Sequence, residues 1–538
     1  MLALAACSSS SDSGSSPGAG NRAGGQGPVE RLTIALPEDF GPLNIFASSE
    51  ESLNELVYDK LMTPSPYVDE PRPWLAEEVT AVDPSTWDVR VRDDVTWHDG
   101  EPFTADDVAF TFEFFKRAPS GTFTHHIAEV PHVSTIDRLA PDTLRLRCAY
   151  PCPELRDITL AFVPILPEHV WAEVAEPAQF AELPVGTGPY EMVSYDATRG
   201  YRFRANDGYF AGRPLVDELV MPVIEDPSAT FTALRTGEID TAARGVPPEL
   251  LESFSRRDDI EVTTTAPLQF LELRLNYQRP PFEVPAFRRA LSLAVDRRQL
   301  LDVVLLGQGR PATRGYPHPD SPWTNPELST PYDPAEASAS LDGLGWDDAD
   351  SDGIREGPDG KPLAFTLKVN GAEPTHIRAA ELVVEDLAEV GVAADLVTLD
   401  AGAVADLFRS RDFDIAVNVI GAHGVADPTQ FIMSHRSGYL WDAPEIPYPG
   451  WDALFERWKA TTDLRSRTEV LFEMQEFFNQ APTSIPLVYP DENWAFRPEA
   501  YDGWVESPGH GIIHKWSLLP PDVGRGVNAI AQGSAQRS

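Results

Sequence analysis

Residues 363–400 constrain the fold more than any other stretch. An apolar segment, LAFTLKVN (Leu363–Asn370), is followed by THIRAAELVVEDLAEVG (Thr375–Gly391) and then by VAADLVTLD (Val392–Asp400). In the middle segment Ile377, Ala380, Val384 and Leu387 fall at helical spacing, and Gly391 is a suitable stop. Strand, helix and strand in this order form a βαβ unit, whose strands should run parallel with a right-handed crossover. The fold class is therefore α/β. DFDIAVNVI (Asp412–Ile420) reads as the next strand of the same sheet, and residues 451–482 as two amphipathic helices joined around Thr462–Arg465.

The first half carries equally local signals. Leu32, Ile34 and Leu36 alternate like a buried strand near the start of the ordered part, and Trp87, Val89 and Val91 alternate with Asp88, Arg90 and Arg92. His98–Gly100 supplies turn chemistry. Thr104 followed by Asp107 predicts a helix cap ahead of Val108, Phe110, Phe112 and Phe115. The 50 prolines are spread throughout, no internal repeat is present, and the chain from Pro520 onward reads as a disordered tail.

A chain of 538 residues is too long for one core, so two or three domains are expected. Its 43 Lys and Arg against 84 Asp and Glu give a net charge of −41, which disfavours nucleic acid and anionic membrane surfaces as partners. No apolar run approaches the ~18 residues of a membrane-spanning helix. Phosphate-loop, H-E-x-x-H and G-x-S-x-G patterns are missing, and the histidines of THHIAEVPH and GHGIIH have no partners at ligand spacing. No enzyme activity is expected. Cys148 and Cys152 fit a short-loop disulfide in an exported protein, with two free thiols as the alternative.

Cys7 follows Leu4-Ala5-Ala6 in the pattern of a bacterial lipobox, and Ser8–Gly27 has the composition of a flexible tether. Only six residues precede Cys7, without a basic region, so the expectation is a signal peptide that begins upstream of Met1. The competing reading is a chance cysteine in a disordered tail. Asp348, Asp350, Asp352, Gly353 and Asp359 occupy the first, third, fifth, sixth and twelfth positions of a calcium loop. A structural calcium there competes with a solvated acidic turn. No other cofactor is expected.

Several segments in order, WDVRVRDDVTWHDGEPFTADDVAFTFEF, VGTGPY (Val185–Tyr190), ANDGYFAGRPLVDELVM, ALRTGEID, LRLNYQRPPFEVPAFRRALSLAVDRRQLLDVVLLGQGRPA and DSDGIREGPDG, cover the chain from about Arg31 to Pro520. This series resembles the extracytoplasmic solute-binding proteins of family 5, the peptide/nickel group that feeds ABC importers. The resemblance implies a periplasmic-binding-protein-like class II clamshell, with two main lobes joined by hinge strands and an inserted third domain. Residues 29–62, 183–270 and 490–520 would form domain I, 63–182 the inserted domain II and 271–489 domain III, flanked by a lipobox and tether (1–28) and a tail (521–538). The ligand would be enclosed between domains I and III by rotation about the hinge.

The resemblance also implies ligand contacts. The aspartate that holds a peptide amine in relatives falls on Gly424 in GAHGVADPTQF, so Asp427 is the acid left to serve, or the solute has no free amine. Trp441, Tyr489 and Trp494 are candidate platforms, with a core role as the alternative. Asn276 and Tyr277 are further candidates, and Arg274 could meet a carboxylate. The implied function is a lipid-anchored, extracytoplasmic receptor, expected as a monomer, that delivers an oligo- or dipeptide to ABC permease subunits and their ATPases. An oligosaccharide, opine or metal chelate is the alternative solute, and a peptide-binding chaperone or signalling receptor the alternative role.

Overall fold

The computed structural model describes residues 29–523 except 48–50, 67, 118–132, 154, 158, 266–268, 313–317, 320–322, 329–330, 422–430, 433–434, 436, 438–447 and 508–510. The described chain opens with β1 (Val29–Ala35), α1 (Glu51–Val57) and the hairpin of β2 (Met62–Ser65) and β3 (Val68–Pro73). β4 (Ala76–Asp83), β5 (Thr86–Val91), α2 (Ala105–Arg117), β6 (Val133–Ala140) and β7 (Thr143–Cys148) follow, and their strands form an antiparallel sheet ordered β4-β5-β7-β6.

β8 (Tyr190–Asp196), β9 (Gly200–Ala205) and β10 (Val216–Met221) return to β1. Then come α3 (Pro227–Thr236), β11 (Thr241–Ala242), α4 (Pro248–Ser255) and β12 (Glu261–Thr265). The chain next crosses into a second sheet with β13 (Gln269–Leu275), α5 (Pro285–Ala294), α6 (Arg297–Val304), β14 (Gly309–Pro311), α7 (Pro334–Gly343) and β15 (Ala364–Asn370). It continues through α8 (Pro374–Glu389), β16 (Ala393–Leu399), α9 (Ala401–Ser410), β17 (Ile415–Gly421), α10 (Pro449–Ala460), α11 (Leu464–Gln480) and β18 (Ser484–Pro490), before β19 (Glu492–Phe496) goes back to the first sheet. The orders are β12-β19-β11-β1-β10-β9-β8 and β14-β18-β13-β17-β15-β16. These two sheets define two lobes, and the small antiparallel sheet is an insertion in the first.

Local patterns hold where the sequence is periodic. Leu32, Ile34 and Leu36 are buried, as are Trp87, Val89 and Val91. Thr104 Oγ1 accepts from the Asp106 amide while the Asp107 carboxylate accepts from the Thr104 amide at 2.8 Å, a reciprocal cap on α2. β15 and β16 pair in parallel, and β17 joins β15 in parallel as the next strand. The buried face of α8 is wider than expected: Ala379, Ala380, Leu382, Val383, Asp386 and Leu387 are buried, whereas Ile377 and Val384 are half-buried. The helix shares its core cluster with residues of α5 and α6 as well as of the sheet, so a single stripe does not cover its contacts. At the other end, residues 521–523 are helical and Val523 packs on Trp74, Tyr209, Trp516 and Leu519, so the packed part extends past the expected start of the tail.

The cores follow the sheets. One cluster runs continuously from β1 and α1 through the insertion to Phe112 and Trp171, so the insertion and the first lobe share a core. α3 and α4 cover the other face of the first sheet through Phe231, Leu234 and Phe254. In the second sheet Leu271, Leu273 and Leu275 face the α5–α8 side, while Phe270 faces the side closed by α10 and α11.

Candidate ligand cleft

β1, β10 and β11 run parallel, so their carboxyl ends share one edge of the first sheet. β19 is antiparallel to β11 and starts at that edge. In the second sheet the carboxyl ends of β15, β16 and β17 lie beside the first residue of β13, with Gln269 opposite Gly421. The chain passes between lobes at these same edges, from the end of β12 to the start of β13 and from β18 to β19. Two sets of strand carboxyl ends therefore face a common space, where open α/β sheets bind ligands.

The first lobe contributes residues 243–246 to this space. The Ala243 amide donates to Ala35 O at 2.7 Å and the Val246 amide to Asn493 O at 2.6 Å, fixing both ends of the segment. Arg244 between them is half-buried, and its Nη1 donates to Glu225 O at 3.1 Å. Burial pushes its pKa down, against the attraction of Glu373, Asp226 and Glu38. Glu373, from the second lobe, precedes α8 without capping it, and burial raises its pKa against the pull of Arg244. Three residues on, burial lowers the His376 pKa to about 4, so the imidazole is neutral at physiological pH.

The motifs of the insertion hold the first lobe together. His98 Nε2 donates to Gly188 O at 3.0 Å, with the tautomer set by the Gly186 amide donating to Nδ1 at 3.3 Å. Burial lowers the His98 pKa. Gly186 and Gly188 lie against the end of α1, where a Cβ would come within 1.8 Å of Val57 O and 2.4 Å of Leu56 O. Only glycine permits this approach. Beside it the fully buried Asp59 accepts from Trp74 Nε1 (2.7 Å), Tyr209 OH (3.0 Å) and Lys515 Nζ (3.1 Å), and from Thr187 Oγ1 at 3.3 Å. The lobes meet again away from the crossing. Cys148 and Cys152 form a disulfide, and Pro151 O within its loop accepts from Arg467 Nη2 of α11 at 2.8 Å. Lys459 of α10 stands 5.4 Å from the Tyr150 ring centroid.

The residues singled out from sequence are not gathered in the cleft. Asp427, Gly424 and Trp441 lie outside the described residues, as does Cys7. Asn276 is buried at the end of β13 remote from the crossing, where Nδ2 donates to Arg411 O (3.0 Å) and Phe413 O (2.9 Å). Tyr277 packs on the second-sheet core with Arg288 over its ring at 5.8 Å. Arg274 lies 3.5 Å from the buried Glu272 carboxylate. Tyr489 is fully buried between Phe270 (5.3 Å) and His318 (4.9 Å). Trp494 donates to Thr265 Oγ1 at 3.1 Å and packs directly on Gly511. Arg274, Tyr489 and Trp494 serve the interior because the strands that carry them are covered on both faces, and Asn276 and Tyr277 follow β13 into the packing beyond its end. In the acidic turn, carboxylates of Asp348, Asp350 and Glu356 lie within 4.8 Å of one another, but Asp352 and Asp359 are outside the group, and Asp359 pairs with Lys361 at 2.6 Å. Backbone amides of Asp352 and Gly353 satisfy Asp350 and Asp348. Arg244, Glu373 and His376 were missed; the available signal was polar residues directly after short strands, in TAARG and VNGAEPTH.

Two α/β lobes connected by adjacent crossings, with strand ends facing one cleft and no described catalytic constellation, define a ligand-binding clamshell. The model of bacterial extracellular solute-binding proteins, family 5, matches residues 70–441, and the chain belongs to that family. It is 26% identical over 472 residues to the oligopeptide-binding protein AppA of Bacillus subtilis, covering 82% of this chain and 83% of that protein. To the nickel-binding periplasmic protein of Escherichia coli it is 28% identical over 422 residues, covering 76% and 78%. The solved structure of AppA with a nonapeptide superposes with a TM-score of 0.77 at 21% identity, covering 91% of this chain and 99% of AppA. The protein is thus a non-enzymatic, extracytoplasmic substrate-binding component of ABC transport. Among the described residues no helix is long and apolar enough to cross a membrane.

Proposed function

We propose that this protein is the receptor of an ABC importer for short peptides, anchored to the membrane by a diacylated Cys7 and acting as a monomer. The cleft takes the peptide, rotation about the connections from β12 to β13 and from β18 to β19 closes the lobes, and the permease reads the closed form. The supporting observation is that similarity to an oligopeptide-binding protein runs through 82% of the chain, spanning both lobes and the insertion rather than one motif. Native mass spectrometry of solute retained through purification tests it: peptides are the expected cargo, and a non-peptide solute refutes the assignment.

A second reading, a chelated metal, is favoured by the 28% identity over 422 residues to a nickel-binding periplasmic protein. Thermal-shift measurements with nickel–histidine separate the two. The anchor is tested by labelling cells with a fatty-acid analogue. Cys7→Ser is expected to abolish labelling and release the protein from membranes, and persistent labelling would refute the anchor.

A further inference from the structure

Arg244 is half-buried, and its partners contrast with those of the fully buried cations. Lys515 pairs with Asp59 at 3.1 Å and Lys60 with Glu55 at 3.0 Å. Arg288 donates to the carbonyls of Pro482 and Phe282, and Arg297 to those of Pro486 and Ser292. Arg244 makes one hydrogen bond, to Glu225 O, and forms no ion pair among the described residues. This is unexpected in a chain where acids outnumber bases 84 to 43.

The acids near Arg244 are otherwise disposed. Asp226 caps α3 by accepting from the Ala229 amide at 2.7 Å. Glu38 follows β1, and Glu373 of the opposite lobe attracts Arg244 without forming an ion pair with it. The guanidinium is carried on a segment pinned to β1 and β19 at the cleft edge, so its position is set by backbone hydrogen bonds rather than by a partner. A planar fork with spare N–H groups, partly withdrawn from water, matches a carboxylate better than any neutral group.

We propose that Arg244 receives a carboxylate of the bound solute, with Glu373 competing for the same guanidinium when the cleft is empty. The inference rests on the cleft being the ligand site. The carboxylate has two possible sources, the C-terminus of a peptide or the chelating amino acid of a metal complex, and both offer the same two oxygens to the fork.

The test uses the full-length chain and four probes: a pool of short random peptides as free acids, the same pool as C-terminal amides, nickel with L-histidine, and nickel with L-histidinamide. Affinities are measured by calorimetry for wild type, Arg244→Gln, Arg244→Lys and Glu373→Gln, with melting temperatures as the folding control. Within the probe class that binds, the acid form is expected to bind about tenfold or more tighter than the amide. Arg244→Gln should bring acid and amide affinities together, Arg244→Lys should keep part of the preference, and Glu373→Gln should enlarge it. Equal binding of acid and amide by wild type, or a preference that survives Arg244→Gln, overturns the role of Arg244 and leaves the cleft reading intact. Binding of none of the four probes overturns the cleft reading together with it.

Discussion

The ion pair of Asp59 and Lys515 joins the start of the first lobe to its end, and replacing Lys515 by Met tests how much that closure is worth. Both side chains are withdrawn from solvent, at 0% and 2% exposure. Met preserves the length of the stem and its contact with the Trp74 ring, which lies 4.6 Å from Nζ. It removes the charge, leaving Asp59 with hydrogen bonds from Trp74, Tyr209 and Thr187 but no counter-ion. Stranding a buried carboxylate in this way costs about 3–5 kcal/mol. The double variant Asp59→Asn with Lys515→Met keeps an acceptor for the indole and the phenol and removes both charges, so most of the loss should be recovered. Urea unfolding followed by tryptophan fluorescence reports the change directly, because Trp74 and Trp516 flank the site. A single-variant cost below about 1 kcal/mol, or a double variant no more stable than Lys515→Met, would refute the reasoning.

Further outcomes follow from other sites. The Asp386 pKa is raised to about 6, chiefly by burial. This acid therefore stabilises the fold most below its unfolded value and loses that stability as pH rises through about 6. Asp386→Asn, which keeps an acceptor for the Asp296 amide, should gain about 1–3 kcal/mol at pH 7 and nothing near pH 3 by urea titration. His376 titrates near 4 when folded, so the unfolded chain binds its proton first and stability falls as pH drops from about 6.5 toward 4. His376→Asn should flatten that part of the stability–pH curve, and an unchanged slope contradicts it. Gly188→Ala should cost several kcal/mol by calorimetry, since its Cβ would collide with Leu56 O, whereas Gly343→Ala, in open space at the end of α7, should be neutral or stabilising by about 0.5–1 kcal/mol.

Most of the architecture was legible because it is encoded locally. The alternation in β5, the reciprocal cap on α2 and the βαβ unit of β15, α8 and β16 each need only neighbours in sequence. The cleft was not, because it is assembled by crossings between distant segments: Arg244 is positioned by Ala35 and Asn493, and attracted by Glu373. Asn276 shows the same limit from the other side. It follows a strand that begins at the crossing, but seven residues at about 3.3 Å each carry it roughly 20 Å away. Tyr489 and Trp494 do flank the crossing, yet alternation along a central strand turns them into the core, a choice that their residue type does not reveal.

The placement of β19 has a consequence for how the molecule comes to exist. The second lobe is one uninterrupted length of chain from β13 to β18, and it can assemble as soon as that length is available. The first lobe is begun by β1 but holds a gap between β12 and β11 that only β19 fills, and Asp59 waits for a lysine 456 residues further on. The domain that starts first therefore finishes last. Until the final residues arrive, its sheet presents open edges and an unneutralised interior charge, the condition in which chains with distant contacts are slow to fold and prone to associate. The last few dozen residues act as the fastening that ends that exposure.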